Sequence, residues 1–173
     1  MIKAIVAGFD RAASLALEEV GERSGVTIKA ESVFIQPNYY AQATDFGSAY
    51  TCARLNACAA IKEAPHGDIF TGLQSMLRRR NGGWEHLIGI QIVSRYRALL
   101  CGTWTEAVPV PPELIDEVRS RGMTTANLET VLSHRYGADA VDPYGRLSGG
   151  RSRRQMLVEA LLRAPDRRRL IKR

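Results

Sequence analysis

Apolar and polar positions alternate along this chain in two distinct rhythms. The run "IKAIVAGF", residues 2–9, is short and almost wholly apolar, the pattern of a strand. Asp10 can then cap a helix reaching about Glu22, with Leu15, Ala16 and Val20 turned inward and Gly25 ending it. "VTIKAESVFI", residues 26–35, predicts a second strand, after which Gln36-Pro37 opens a long loop rich in aromatic and small polar residues, a candidate lid. Residues Ser48 to Glu63 form an alanine-rich helix that Pro65 stops. "GDIFTGLQSML" follows as a buried strand. Beyond the basic turn "RRRNGG", the segment "WEHLIGIQIVS" alternates as a strand, and "RYRALLCGTWTEAVPV" supplies its antiparallel neighbour.

Helices dominate the remainder. Pro111-Pro112 starts one that runs through Ser120, and Thr124 or Thr125 caps another, with Glu129 near its first turn and Gly137 at its end. Ser152 and Gln155 have capping-box spacing, which places the start of the last long helix at Ser152 and leaves Ser148 to Arg151 as the loop before it. The fold class that follows is α/β, a mixed central sheet flanked by helices. There are no internal repeats, and 173 residues suit a single domain ending in a basic tail at about 165–173.

Composition narrows the classes of function. Hydrophobic residues make up 45% and charged residues 24%, and no apolar run is long enough to cross a bilayer, so no membrane partner is expected. The N-terminal apolar stretch is too short for a signal peptide, and the expected location is cytoplasmic. Cys52, Cys58 and Cys101 lack paired spacing and read as reduced, mostly buried residues. The net charge of +6 is uneven. Residues 145–173 carry ten Lys or Arg against two acids, a net of +8, which leaves −2 for the first 144. Such an end is a candidate nucleic-acid contact, although no aromatic residues interleave with it and a solvated face is the preferred reading.

The sharpest chemistry lies in "LSGGRSRRQMLVEALLRA", residues 147–164. Glycines let backbone amides approach an anion, a helix N-terminus offers unpaired N–H groups, and arginine forks match phosphate oxygens. Ser148, Gly149 and Gly150 are candidate phosphate contacts, with Arg151 or Arg154 adding charge. Arg153 and Arg154 lie about 100° apart around a helix, so at most one can aim at a given phosphate, and Arg154 is the one expected to do so. The histidines His66, His86 and His134 lack metal-ligand spacing with the cysteines, and no serine sits in a nucleophile elbow.

Taken in order, these segments resemble the inosine/xanthosine triphosphatases, enzymes that remove aberrant purine nucleotides. The resemblance is clearest at "GTWTEAVPVPPELIDEV" and "YGRLSGGRSRRQMLVEALL", where Leu147, Ser148, Gly150 and Arg154 fit the family's pattern, and it extends to Gln36-Pro37 and "TANLETVLSHRYG". It implies an inosine triphosphatase-like fold, a purine nucleotide ligand, Mg²⁺ and a homodimer. It also exposes departures. Gly8, Phe9, Asp10, Arg11 and Ala12 stand where relatives carry Thr-Asn-Pro-x-Lys, leaving Arg11 as the basic candidate there. Ala49 and Tyr50 occupy the place of the family's acids, and Trp104 the place of a serine near the cleft. Relatives have Gly-x-Glu-x-Gly with a metal-binding glutamate where this chain has Gln74, whose amide brings no charge and accepts no proton. Asp68 and Asp45 are the nearest acids that could replace it as metal ligands. Two functions are therefore open: a purine nucleotide-binding protein with weak or altered hydrolysis, and an active Mg²⁺-dependent ITP/XTP phosphatase. A nucleic-acid module using the basic end is the third.

Overall fold

The computed structural model of the chain describes residues 1–36, 42–122, 128–136 and 143–171. Strand β1 (Ile2–Ala7) leads through helix α1 (Arg11–Arg23) to β2 (Ile28–Val33), and α2 (Phe46–Glu63) leads on to β3 (Ile69–Arg80). Then β4 (Gly83–Ser94), β5 (Leu99–Trp104) and β6 (Val108–Val110) follow, with α3 (Pro112–Ser120) and α4 (Leu128–Tyr136) after them. A 3-10 turn at Pro143–Arg146, then α5 (Arg153–Arg163) and the short α6 (Arg168–Ile171), complete the chain. The strands form one mixed sheet in the order β2-β1-β3-β4-β5, with β6 beside β5 on the far edge of β4.

Local sequence explains most of these elements. Ala4, Ile5 and Val6 have no exposed surface because β1 runs parallel between β2 and β3 and is covered on both faces. Asp10 Oδ1 accepts from the Ala13 amide and starts α1. Asn81 and Gly82, at φ 50° and 80°, form the tight turn between β3 and β4, with the backbone twist that a two-residue hairpin loop needs. Ser152 and Gln155 make a full capping box at the start of α5.

Four expectations shift in detail. The second strand covers only Ile28–Val33, and α2 begins at Phe46 because Asp45 caps it through the Ser48 amide at 2.8 Å. "RYRALLCGTWTEAVPV" is not one strand: its first residues form a turn, with Arg97 at φ 62°, and the rest divides into β5 and β6. The candidate lid is tethered where it is described. Gln42 is buried and accepts from the Leu128 amide at 3.0 Å, and the Ala43 carbonyl accepts from Leu77. Pro37, Thr124, Thr125 and Gly137 lie outside the described residues.

The sheet divides the core into two layers. α2 packs on one face with Phe70, Met76 and Val93, so closely that a Cβ on Gly72 would stand 1.9 Å from the Ala53 carbonyl oxygen. On the other face, Leu17, Leu114, Leu132, Leu157 and Leu161 from α1, α3, α4 and α5 join Leu77, Ile88, Ile90 and Ile92. Each such side chain contributes about 1.5–3 kcal/mol by leaving water. The three cysteines are free, and burial pushes the Cys101 thiol up to about 11. Among the described residues no helix is long and apolar enough to cross a membrane.

Candidate functional site

The sheet topology singles out one crevice. β1 feeds leftward through α1 to β2, and the chain then returns across the opposite face through α2 to β3. The winding therefore reverses between β1 and β3, the place where open parallel sheets gather ligands at the carboxyl ends of their strands. Val6 is the last residue of β1 paired with β3, opposite Thr71. Beyond it β1 turns away at Gly8, which has φ 83°, while β3 continues to Arg80.

A cavity of about 360 Å³ opens at that end of β1. Its walls are the Gly8–Arg11 turn, Glu129 and Ser133 of α4, Tyr144 of the 3-10 turn and Arg153 at the start of α5. Arg153 is its centre. Two nitrogens of the guanidinium reach Asp10 Oδ2 at 2.7 and 3.2 Å, and Nη1 donates to Glu129 Oε1. The side chain is only 17% exposed. Burial alone would lower its pKa, but the charges of Glu129 and Asp10 outweigh that effect and hold it above the ordinary arginine value. With Arg11 at the rim, the cavity has two guanidiniums and two carboxylates, supplied by three different elements.

Below this cavity lies His86, fully buried on β4, its ring 5.1 Å from that of Tyr144. Neither ring nitrogen has a hydrogen-bond partner among the described residues. Burial, with the nearby Arg153 charge adding to it, pushes the imidazole down to about 3, so it is neutral.

The glycine loop before α5 is otherwise occupied. The Ser148 hydroxyl donates to the Arg151 carbonyl, and the Gly150 amide donates to the Gly145 carbonyl at 2.8 Å. Gly149 and Gly150 adopt φ 68° and 94°, which explains the glycines as turn residues. Arg151 pairs with Glu106 and Glu159. Arg154, the arginine expected to meet phosphate, turns to Glu19 on α1, at 2.7 Å, while Arg153 faces the cavity. Of the ligand contacts expected from sequence, Arg11 lines this cavity, whereas Ser148, Gly149, Gly150, Arg151 and Arg154 do not. Sequence periodicity could not choose between the two arginines, since the buried stripe of α5 is broad enough to continue either one: Met156, Leu157, Val158, Ala160 and Leu161 are all inside.

Gln74 and Trp104 lie elsewhere, on the α2 face. Gln74 pairs in register with Gly89, which pairs with Trp104, and the indole lies over Gly89 so closely that a Cβ there would be 2.9 Å from it. Phe46 and Tyr50 of α2 pack on the indole at 4.8 and 4.6 Å between ring centroids. The sheet itself separates this aromatic cluster from the Arg153 cavity.

A protein-held Mg²⁺ does not fit these residues. Both Asp45 oxygens are engaged by Ser48, and Asp68 accepts from the Lys3 amide at the opposite end of β1 from the cavity. Among the described residues no three His, Cys, Asp or Glu side chains converge. Asp10 and Glu129 do approach each other, but the cation between them is Arg153.

The fold is shared with a solved protein. The crystal structure of protein VC0702 from Vibrio cholerae is similar over 94% of both chains, with a TM-score of 0.67 and 17% identity. At that identity the likeness shows the fold alone. No protein-family model matches this chain, and no curated protein sequence does.

Proposed function

We propose that this protein binds a purine nucleotide, as a divergent relative of the inosine/xanthosine triphosphatases with weak or altered hydrolysis. The observation that carries the reading is the cavity at the sheet's reversal point, with the buried Arg153 and the rim Arg11 offering forked donors to phosphate oxygens. A phosphate entering there competes with Asp10 and Glu129 for the Arg153 guanidinium, so binding is an exchange of anionic partners. The same reading expects slow hydrolysis. Gln74, at the position where relatives carry the metal-binding glutamate, lies on the other face of the sheet and supplies no carboxylate to the cavity.

Calorimetric titration with ITP, XTP, GTP and the corresponding mono- and diphosphates, with and without Mg²⁺, tests the binding. Phosphate-release assays on the same samples test the chemistry. Affinity should fall as salt rises, because arginines dominate the contact. Absence of binding by every nucleotide would overturn the reading, and fast turnover would overturn its catalytic half. Homodimerisation is proposed only from the family resemblance, and sedimentation measures it directly.

A further inference from the structure

Two of the largest exposed apolar side chains stand together beside the cavity. Phe9, on the turn that forms the cavity wall, is 80% exposed, and Phe34, just past the end of β2, is 63% exposed. Their ring centroids are 6.1 Å apart with planes inclined at 35°. They are held in place by backbone: Gly8 donates to the Val33 carbonyl at 2.8 Å, fixing the Phe9 turn against the end of β2. Neither ring contributes to the buried core clusters. Leaving two phenyl rings in water forgoes the stabilisation that burial gives, so their position at the mouth of a charged cavity needs a reason.

We propose that Phe9 and Phe34 form a stacking shelf for the aromatic ring of the ligand whose phosphates enter the cavity; this rests on the nucleotide-binding reading above. Size supports the division of labour. About 360 Å³ is near the lower end of small-molecule pockets, so a triphosphate chain fills much of it and leaves a nucleoside at the mouth. Chemistry supports it as well. Inside the mouth are the guanidiniums of Arg11 and Arg153, the latter able to exchange Asp10 and Glu129 for phosphate, whereas the rim carries phenyl faces, suited to a planar base. The shelf contains no hydrogen-bonding side chain, so it selects for a ring without reading the base identity.

The test compares ITP with inorganic tripolyphosphate by calorimetry on the wild-type protein, Phe9→Ala, Phe34→Ala and Phe34→Leu. Base stacking of this kind is lost at roughly tenfold per ring. Both alanine variants are expected to bind ITP roughly tenfold more weakly while holding tripolyphosphate within about twofold. Phe34→Leu, which retains apolar bulk but no ring, should resemble Phe34→Ala. ITP binding unchanged in the alanine variants overturns the shelf, as does an equal loss for both ligands, which would mean that the phenyls shape the phosphate site. Wild-type protein that binds tripolyphosphate as tightly as ITP also overturns the shelf while leaving the phosphate site standing. Wild-type protein that binds neither overturns the nucleotide reading itself. Because both rings are exposed, the fold should survive each substitution, and unchanged circular dichroism verifies that.

Discussion

His86 makes the stability of this protein fall on acidification in a way that one substitution should remove. The imidazole is fully buried between Leu77 of β3 and Val108 of β6, with Tyr144 against it and the Arg153 charge nearby. Its pKa falls from 6.5 to about 3. The unfolded chain therefore binds a proton at this position near pH 6.5, and the native protein does so only near pH 3. The contribution is complete above about 6.5 and is lost as pH falls towards 3. Each pH unit inside that window costs about 1.4 kcal/mol, so roughly 2 kcal/mol should be gone by pH 5 and about 5 kcal/mol at the lower end. His86→Leu removes the titrating group and two ring nitrogens that have no hydrogen-bond partner among the described residues, so it should be neutral or stabilising at pH 7. Urea denaturation of both proteins at pH 7, 6 and 5 and constant ionic strength isolates the effect, since the two chains differ at this one side chain. Parallel stability profiles for wild type and variant would refute the reasoning, because they would mean that His86 is charged or well solvated in the native state.

Other consequences can be measured in the same way. Arg153→Ala should weaken ITP binding roughly tenfold or more, while Arg154→Ala, which loses only a half-exposed pair with Glu19, should leave it within about twofold; calorimetry decides, and equal losses would return the phosphate site to the glycine loop. Arg168→Ala in the basic tail should leave nucleotide affinity unchanged, and a loss there as large as at Arg153 would favour diffuse binding of a polyanion. Gly72→Ala drives a methyl group into the backbone of α2 and should cost on the order of 1–3 kcal/mol, a fall in Tm of roughly 3–10 °C by calorimetric scan. Ser152→Ala removes the capping box of α5 and should cost about 1 kcal/mol in urea denaturation.

What the sequence determined by itself was local. Asp10 and Ser152 announce helix starts because a side-chain oxygen can reach an amide three residues ahead wherever the chain goes. "RRRNGG" announces a turn, and the apolar runs of β1 and β3 and the alternation of β4 mark strands, because that periodicity is set by neighbours alone. The glycines of "LSGG" were legible as a loop before the last long helix and were read as phosphate contacts, but the orientation of that loop was not legible. Only the tertiary structure decided that Arg153 points into the cavity, because that depends on how α5 settles against α1 and on carboxylates 143 and 24 residues away, Asp10 and Glu129. It alone placed Gln74 and Trp104 in one cross-strand row on either side of Gly89, on the opposite face from that cavity, since strand register joins residues that no spacing along the chain connects. Caps and turns follow from neighbours within a few residues, whereas a site follows from which elements the core packing brings to one end of the sheet.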